Sequence, residues 1–374
     1  MKNYKKPKIV FAVNDFTVAG AQRLYVDLFK KFQSLDYEIF LFTLFQFGDK
    51  NDFYSLVPKN IKVFKMSFKN FYDIGVWLKL FFVLFKIRPD VVISSLFFSN
   101  TVFRILKSVF FYKIITIEHN TYIHKSRLEI FIDKILSFFT FKIVAVSSSV
   151  LNFTAKQEII PKSKFVVIHN GLDFQKLDED IKKGVERDTL KRELGFDKKD
   201  KIIINVGRLT YQKNQEALIR AFSTFVKKHD DYKLIILGEG NLKNTFSDLI
   251  KILGVENQIK LLGSKTDIIP YYLLSDYFVS TSVIEGFGLA HAEALYCGLP
   301  VLTTKTAGPD EFVKEGENGY FMGKSEEDII VGFEKMYHNA DFSKMKLNAK
   351  NSIKNFSIEN TTRLYKELID DCLR

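Results

Sequence analysis

Short apolar runs alternate along the chain with longer stretches in which apolar positions recur every three to four residues. That alternation predicts strand–helix–strand units, because a parallel sheet covered by helices on both faces reads as near-continuous Val, Ile, Leu and Phe. The pattern predicts strands at residues 8–13, 38–43, 90–94, 114–117, 143–146 and 165–168 in the first half. In the second half it predicts them at residues 201–206, 232–237, 258–262, 277–280 and 300–303. The class that follows is α/β with parallel sheets.

Between the halves, residues 170–200 lose the strand rhythm, become rich in charge and open on Asn170-Gly171, a turn signal. The expected division is therefore a first domain over residues 1–170, a linker and start of the second domain over 171–200, and a second domain over 201–356. The final segment, 357–374, sets Leu364, Leu368 and Cys372 on one stripe with Tyr365, Ile369 and Leu373 beside it, the apolar face of a helix that must pack on something.

Composition narrows the class. With 374 residues, 47% hydrophobic and 26% charged, the chain can bury the cores of two globular domains. Its two cysteines, Cys297 and Cys372, are too few and too distant in sequence for a disulfide framework or a cysteine zinc site, which fits a reducing cytoplasm. In residues 1–15 the apolar run is confined to 9–13, too short for a secretory signal. The greasiest stretch, 71–88, is interrupted by Asp73, Lys79 and Lys86, so no membrane-spanning helix is expected.

Charge is uneven. Residues 1–170 hold 25 Lys and Arg against 12 Asp and Glu, and residues 171–374 hold 30 against 32, so the net +11 arises from +13 and −2. A basic, Phe-rich first half suggests an anionic bilayer or an anionic lipid-linked partner; solvated lysine faces are the plainer reading. No nucleic-acid partner is expected.

The densest chemical signal is residues 282–300, SVIEGFGLAHAEALYCGLP. A strand there gives way to a Gly-x-Gly turn, Gly286-Phe287-Gly288, and then to a helix beginning near Leu289. Without side chains at the glycines, backbone amides can approach a phosphate, and the positive end of the helix dipole favours the anion. Such a turn can equally serve only to reverse the chain. Glu285 and Glu293 flank it with seven residues between them, placed to accept hydrogen bonds from diols; Glu293 alone would read as a solvated helix former. A second cluster follows the strand at 201–206: Gly207, Arg208, and then Lys213 and Asn214 at a helix start. Two cations beyond the carboxyl end of a strand suit an anionic ligand, although Lys213 by itself could be an ordinary surface residue. In the first half, Gly20 lies near a helix start in NDFTVAGAQR, and His119 directly follows a strand in IEHN. Asp178-Glu-Asp180 has the spacing of a metal-binding sugar-transferase motif, but it falls in the charged linker and reads as solvated.

Taken together, GRLTYQKN from Gly207, LGEG from Leu237 (with Gly238), the stretch from Ser282 to Pro300, TAGPDEFV from Thr306 and IHNGLD from Ile168 resemble the family 4 retaining glycosyltransferases. The resemblance covers the second half well and the first half more loosely, through Gly20, His119 and Ser147. It implies two Rossmann-like domains facing across a cleft, with the C-terminal helix crossing back to the first. Further, it implies a nucleotide diphosphate sugar donor, uridine being the base it favours. Gly20, Gly207, Arg208, Lys213, Gly238, Gly286, Phe287, Gly288, Leu289 and Glu293 would bind that donor. His119, Arg208, Lys213 and Glu285 would act at the reacting centre. No metal or other cofactor is implied, since the two cations and the helix terminus would stabilise the departing phosphate. The acceptor would be a glycan or lipid-linked saccharide, and the enzyme cytoplasmic and peripheral at the membrane.

One departure stands out: the family's N-terminal loop commonly reads Gly-Gly-Ala-Glu-Arg, whereas this chain has Ala19-Gly20-Ala21-Gln22-Arg23. Two other readings compete with transfer: a nucleotide-sugar epimerase of the same architecture, and a catalytically silent binding subunit.

Overall fold

The computed structural model describes residues 6–17, 19–46, 52–338 and 342–374. The start of the N-terminal segment and Val18 of the first loop therefore lie outside the described residues. The chain divides into two compact units, unit 1 over Met1–Gly171 with Phe356–Arg374 and unit 2 over Leu172–Asn355.

Among the described residues, unit 1 holds seven parallel strands: β1 (Lys8–Val13), β2 (Glu38–Thr43), β3 (Lys62–Lys65), β4 (Val91–Ser95), β5 (Lys113–Glu118), β6 (Lys142–Ala145) and β7 (Phe165–Val167). Their order is β3-β2-β1-β4-β5-β6-β7. Helices α1 (Gly20–Phe32), α2 (Ile74–Ile87), α3 (Phe97–Leu106), α4 (Arg127–Leu136) and α5 (Ser148–Gln157) connect them. Side chains alternate along β1. Phe11 meets Tyr25 and Phe29 of α1, each at 5.1 Å between ring centroids, whereas Val10 and Ala12 join Leu80 and Leu84 of α2 and Val102 and Phe103 of α3. One sheet face thus packs α1 and the other packs α2 and α3, as right-handed crossovers from a strand order that reverses at β1 require.

Unit 2 repeats the plan with β8 (Lys201–Val206), β9 (Tyr232–Leu237), β10 (Ile259–Gly263), β11 (Tyr277–Ser280), β12 (Val301–Thr304) and β13 (Gly319–Met322), all parallel, in the order β10-β9-β8-β11-β12-β13. Its helices are α6 (Phe174–Lys182), α7 (Arg187–Glu193), α8 (Gln215–Phe225), α9 (Lys243–Leu253), α10 (Ile269–Leu274), α11 (Leu289–Tyr296), α12 (Pro309–Phe312), α13 (Glu326–Tyr337) and α14 (Phe342–Ser352). In both sheets the order reverses beside the first strand, and the carboxyl ends of β1 and β4, and of β8 and β11, frame the crevice where such sheets bind ligands.

Two edge strands, β3 and β13, are absent from the sequence expectation. Each is only four residues long, KVFK and GYFM, and β3 is mostly exposed, so neither shows a buried strand's apolar run. The charged segment 171–200 is not structureless: it carries α6 and α7, and from Leu172 onward it belongs to unit 2. Asp173 caps α6 by accepting from the Lys176 amide, and Asp178 on that helix pairs with Lys350 at 3.2 Å.

The last helix, α15 (Ile358–Leu373), belongs to unit 1 and lies against α1. Ser357 caps it, Thr361 Oγ1 donates to the His169 carbonyl at 2.8 Å, and Tyr37 donates its hydroxyl to Asp370 at 2.9 Å. The buried stripe is Ile358, Thr361, Tyr365, Leu368, Ile369 and Cys372. Leu373, expected on the packed face, is exposed, because the stripe centres on Tyr365 and Ile369 and the helix ends there. Among the described residues no helix is long and apolar enough to cross a membrane.

Candidate functional site

In unit 2 the carboxyl end of β8 leads into Gly207 and Arg208, and a single 3-10 turn, Tyr211–Lys213, precedes α8. Asn214, in the left-handed region at φ 52°, breaks that turn and starts α8, and Thr281 Oγ1 donates to the Lys213 and Asn214 carbonyls at 3.0 and 2.9 Å. The Gln212 carbonyl accepts from the Val283 amide, and its side-chain amide donates to Ile284 O at 3.0 Å. These bonds fasten the loop after β8 to the one after β11. The outcome is that Lys213 Nζ lies 2.5 Å from Glu285 Oε2, both side chains largely covered. Burial pushes the Glu285 carboxyl up, but the Lys213 ammonium and further polar neighbours prevail and hold it below its usual range.

The loop after β9 sets the height of Arg208. Gly238 has φ +148°, and a Cβ there would stand 2.0 Å from the Gly207 carbonyl oxygen; a Cβ on Gly240 would stand 2.3 Å from the Leu209 oxygen. Glycine at both positions lets this loop press against the loop after β8, where Leu209 N donates to Glu239 O at 3.0 Å. Gln215, fully buried, donates to the Arg208 carbonyl at 3.0 Å, leaving the Arg208 side chain exposed on a fixed backbone.

The Gly-x-Gly turn follows Glu285. Gly288 has φ +87° and forms the N-terminal boundary of α11, which has no side-chain cap hydrogen bond there, so the first amides of the helix are left for a ligand. Phe287 is buried, and Gly308 of the TAGPDEFV segment packs on it so closely that a Cβ would lie 2.0 Å from the Phe287 oxygen. Within α11, Glu293 is half-buried, and the Tyr272 hydroxyl of α10 stands 3.4 Å from its Oε2 and donates to Ala290 O at 3.2 Å. The helix therefore positions Glu293 rather than exposing it to solvent.

The structure thus brings Gly207, Arg208, Lys213, Gly238, Glu285, Gly286, Phe287, Gly288, Leu289 and Glu293 onto the loops at the carboxyl ends of β8, β9 and β11 and onto α11. Sequence reasoning passed over Tyr272 and His291. His291 is buried beneath the turn, with Nε2 3.0 Å from Thr303 Oγ1 and burial lowering its imidazole to about 4, so it is neutral at physiological pH. A histidine between two alanines was its only sequence signal; Tyr272 comes from another helix and had none.

In unit 1, His119 follows β5 and is half-buried, its imidazole lowered by burial to about 4. Its Nε2 lies 3.1 Å from Ser95 Oγ at the carboxyl end of β4. Ser95 Oγ is in turn 2.7 Å from the hydroxyl of Tyr25 on α1, which also donates to the carbonyls of Ala12 and Ile93. A polar chain therefore runs from α1 through β4 to His119. Gly20 opens α1 and is exposed. Beside it the departure at Gln22 has a local reason: this buried side chain donates to the Asp15 backbone oxygen at 3.2 Å and to its carboxylate at 3.3 Å. A glutamate in its place would set two carboxylates together.

A family model described as "Glycosyl transferases group 1" matches residues 186–355, and one described as "Glycosyltransferase Family 4" matches residues 18–176. The chain is 35% identical over 176 residues to the N-acetylgalactosamine-N,N'-diacetylbacillosaminyl-diphospho-undecaprenol 4-alpha-N-acetylgalactosaminyltransferase of Campylobacter jejuni, an alignment covering 44% of each chain. It is 29% identical over 178 residues to the N-acetyl-alpha-D-glucosaminyl L-malate synthase of Bacillus anthracis, covering 48% of this chain and 45% of that one. The chain spans about half or less of the length of the curated relatives it matches. Among solved structures it superposes on Anabaena HepE in complex with UDP (TM-score 0.81, 20% identity, 97% of this chain and 100% of that one). It also superposes on a glycosyltransferase of Rickettsia africae (TM-score 0.83, 21% identity, 99% and 100%).

Proposed function

As the chain belongs to glycosyltransferase family 4, we propose that it moves a hexose or N-acetylhexosamine, with retention of configuration, from a nucleotide diphosphate sugar to a glycan or lipid-linked saccharide at the cytoplasmic face of a membrane. The observation that carries the reading is the Lys213–Glu285 pair set beside the uncapped start of α11.

In this reading Arg208, Lys213 and the amides around Phe287–Leu289 bind the diphosphate, Glu293 takes the ribose hydroxyls with Tyr272 behind it, and Glu285 addresses the transferred sugar. During transfer the acceptor oxygen forms a bond to the anomeric carbon as the bond from that carbon to the phosphate oxygen breaks. The acceptor proton passes to the departing phosphate, and the two cations with the helix terminus stabilise the charge that develops there. No metal is assigned to the step. His119, neutral at working pH, serves the transferred sugar or the acceptor as a hydrogen-bonding group rather than as a cation. UDP is the favoured leaving group, supported by the UDP bound in HepE, a protein of the same fold. The excess of cations in residues 1–170 supports a membrane-borne acceptor.

The test is release of free nucleotide diphosphate from UDP-, GDP- and ADP-sugars in EDTA, with and without a lipid-linked saccharide extract. Acceptor-dependent release from one donor supports the reading. Conversion of the donor without nucleotide release would replace transfer by epimerisation, and no turnover of any donor together with no donor binding by calorimetry would leave only a silent binding subunit.

A further inference from the structure

Helix α2 is apolar on two sides. Leu80, Leu84 and Ile87 face the sheet and are buried, but Ile74, Leu78, Phe82 and Phe85, at intervals of four, four and three, form a second stripe whose members are 53–72% exposed. A helix on the surface of a globular domain normally places polar residues there. Helix α4 repeats the feature with Leu128, Phe131 and Ile135, 44–66% exposed at the same spacing, while its Asp133 points inward to Arg104 at 3.1 Å. Both helices join α3: Phe81 of α2 meets Phe110, just beyond α3, with tilted rings 5.1 Å apart, and Arg104 of α3 holds α4. The outer stripes therefore belong to one helical layer of unit 1.

The charges around the stripes are mainly positive, the acidic exceptions being Asp73 and Glu129, each engaged in capping the start of its helix. On α2 the ionisable residues are Lys79 and Lys86, and Arg88 follows with its guanidinium over the Phe85 ring at 5.4 Å. On α4, Arg127 and Lys134 accompany the stripe, whereas Glu129 is engaged in the capping box with Ser126 and Asp133 is buried. A protein partner would select against lysine in such a patch, since lysine is depleted at protein interfaces. Large apolar side chains beside lysines and arginines suit the boundary of an anionic bilayer, where the rings enter the acyl region and the cations meet lipid phosphates.

We infer that the outer faces of α2 and α4 form a docking surface for an anionic lipid bilayer. The inference rests on the reading that the acceptor is membrane-borne, and gives that reading a location on the molecule.

The test is co-sedimentation of the full chain with phosphatidylcholine vesicles and with vesicles containing phosphatidylglycerol, at low and high salt. The wild-type chain is expected to bind the anionic vesicles. Phe82→Gln/Phe85→Gln should weaken that binding at least tenfold at either salt, and Lys79→Gln/Lys86→Gln should weaken it chiefly at low salt. These positions are exposed, and unchanged fluorescence of the single tryptophan, Trp77 on α2, establishes that each variant is folded. Absence of wild-type binding, or equal binding by the folded phenylalanine variant, overturns the inference. So does a wild-type dimer in lipid-free solution that the phenylalanine variant converts to monomer, which would assign the face to a second copy. Nucleotide release from the donor, measured with a water-soluble acceptor on the same preparations, separates the two readings: its loss in the wild type alongside intact vesicle binding would sink glycosyl transfer and leave the docking surface standing.

Discussion

Lys213 and Glu285, 72 residues apart in sequence, meet at 2.5 Å because Thr281 and Gln212 tie the loops after β8 and β11 together. Replacing Lys213 by alanine removes a cation from the proposed phosphate site. Turnover should fall roughly 30- to 150-fold, on the order of 2 to 3 kcal/mol of transition-state stabilisation, while donor binding changes less. It also removes the main group opposing burial at Glu285, so its carboxyl rises. In the wild type the depressed carboxyl contributes stability above its unfolded pKa and loses it as pH falls through the folded value. The Lys213→Ala acid limb should therefore begin at higher pH. A pH–rate profile that scales uniformly, without that displacement, would refute the coupling.

The two glycines of the diphosphate loops should behave differently. Gly238→Ala forces an alanine into φ +148° with its Cβ 2.0 Å from the Gly207 oxygen, and should cost on the order of 3 kcal/mol of stability. At Gly207 the atoms nearest a Cβ are the Lys213 methylenes at 3.5 Å, an ordinary contact. Gly207→Ala should leave thermal stability within about 0.5 kcal/mol of the wild type. Thermal denaturation of the two variants compares them directly.

Next to His119 in sequence, Glu118 belongs to a buried cluster of five ionisable groups in unit 1, Arg104 and Lys125 with Glu118, Asp133 and Glu158, Lys125 lying 2.8 Å from Asp133 and 2.5 Å from Glu158. Breaking such a cluster by Lys125→Met should cost about 3 to 5 kcal/mol, since it strands carboxylates without their cation. Burial, joined by Glu118, raises Glu158 to about 7 from 4.5. A raised folded value means that its stabilising contribution is complete below the unfolded pKa and is lost as pH rises through about 7. Urea unfolding followed by Trp77 fluorescence should therefore show unit 1 weakening between pH 4.5 and 7 in the wild type and much less in Glu158→Gln.

At the first loop, Gln22→Glu restores the residue common in the family but sets a second carboxylate beside Asp15 in a buried position. The expected result is a loss of about 1 to 3 kcal/mol at neutral pH that shrinks as the pH falls and one carboxyl takes a proton. Equal stability of variant and wild type at pH 7.5 and pH 4.5 would remove this account of the departure.

Most of the architecture was legible because buried parallel strands write themselves as apolar runs: β1, β2, β8, β9 and β11 begin and end where the pattern places them. The strands β3 and β13 were hidden because lysines at both ends of KVFK leave no apolar run, and GYFM opens on a glycine and is only partly buried in its middle. Helices α6 and α7 were hidden because their polar faces dominate a segment with little apolar surface to bury. The residues of unit 2 named from its motifs lie together, each on a loop at a strand's carboxyl end or on the helix that follows. What escaped were the supports: Tyr272 behind Glu293, His291 under the Gly-x-Gly turn, and Ser95 with Tyr25 behind His119. Tyr272, Ser95 and Tyr25 come from other elements, and His291, though on α11 itself, faces Thr303 of β12, so only packing reveals them.

Unit 1 is completed by α15, and the backbone at Gly171 lies so close to the Ser357 carbonyl that a Cβ there would be 2.4 Å from its oxygen. The chain thus leaves unit 1, builds all of unit 2, and returns to the place it left. On the ribosome this inverts the usual order in which domains mature. The first unit to emerge must wait, with the surface of α1 that α15 will cover still open, until the second has been synthesised, so the unit begun first is the one finished last.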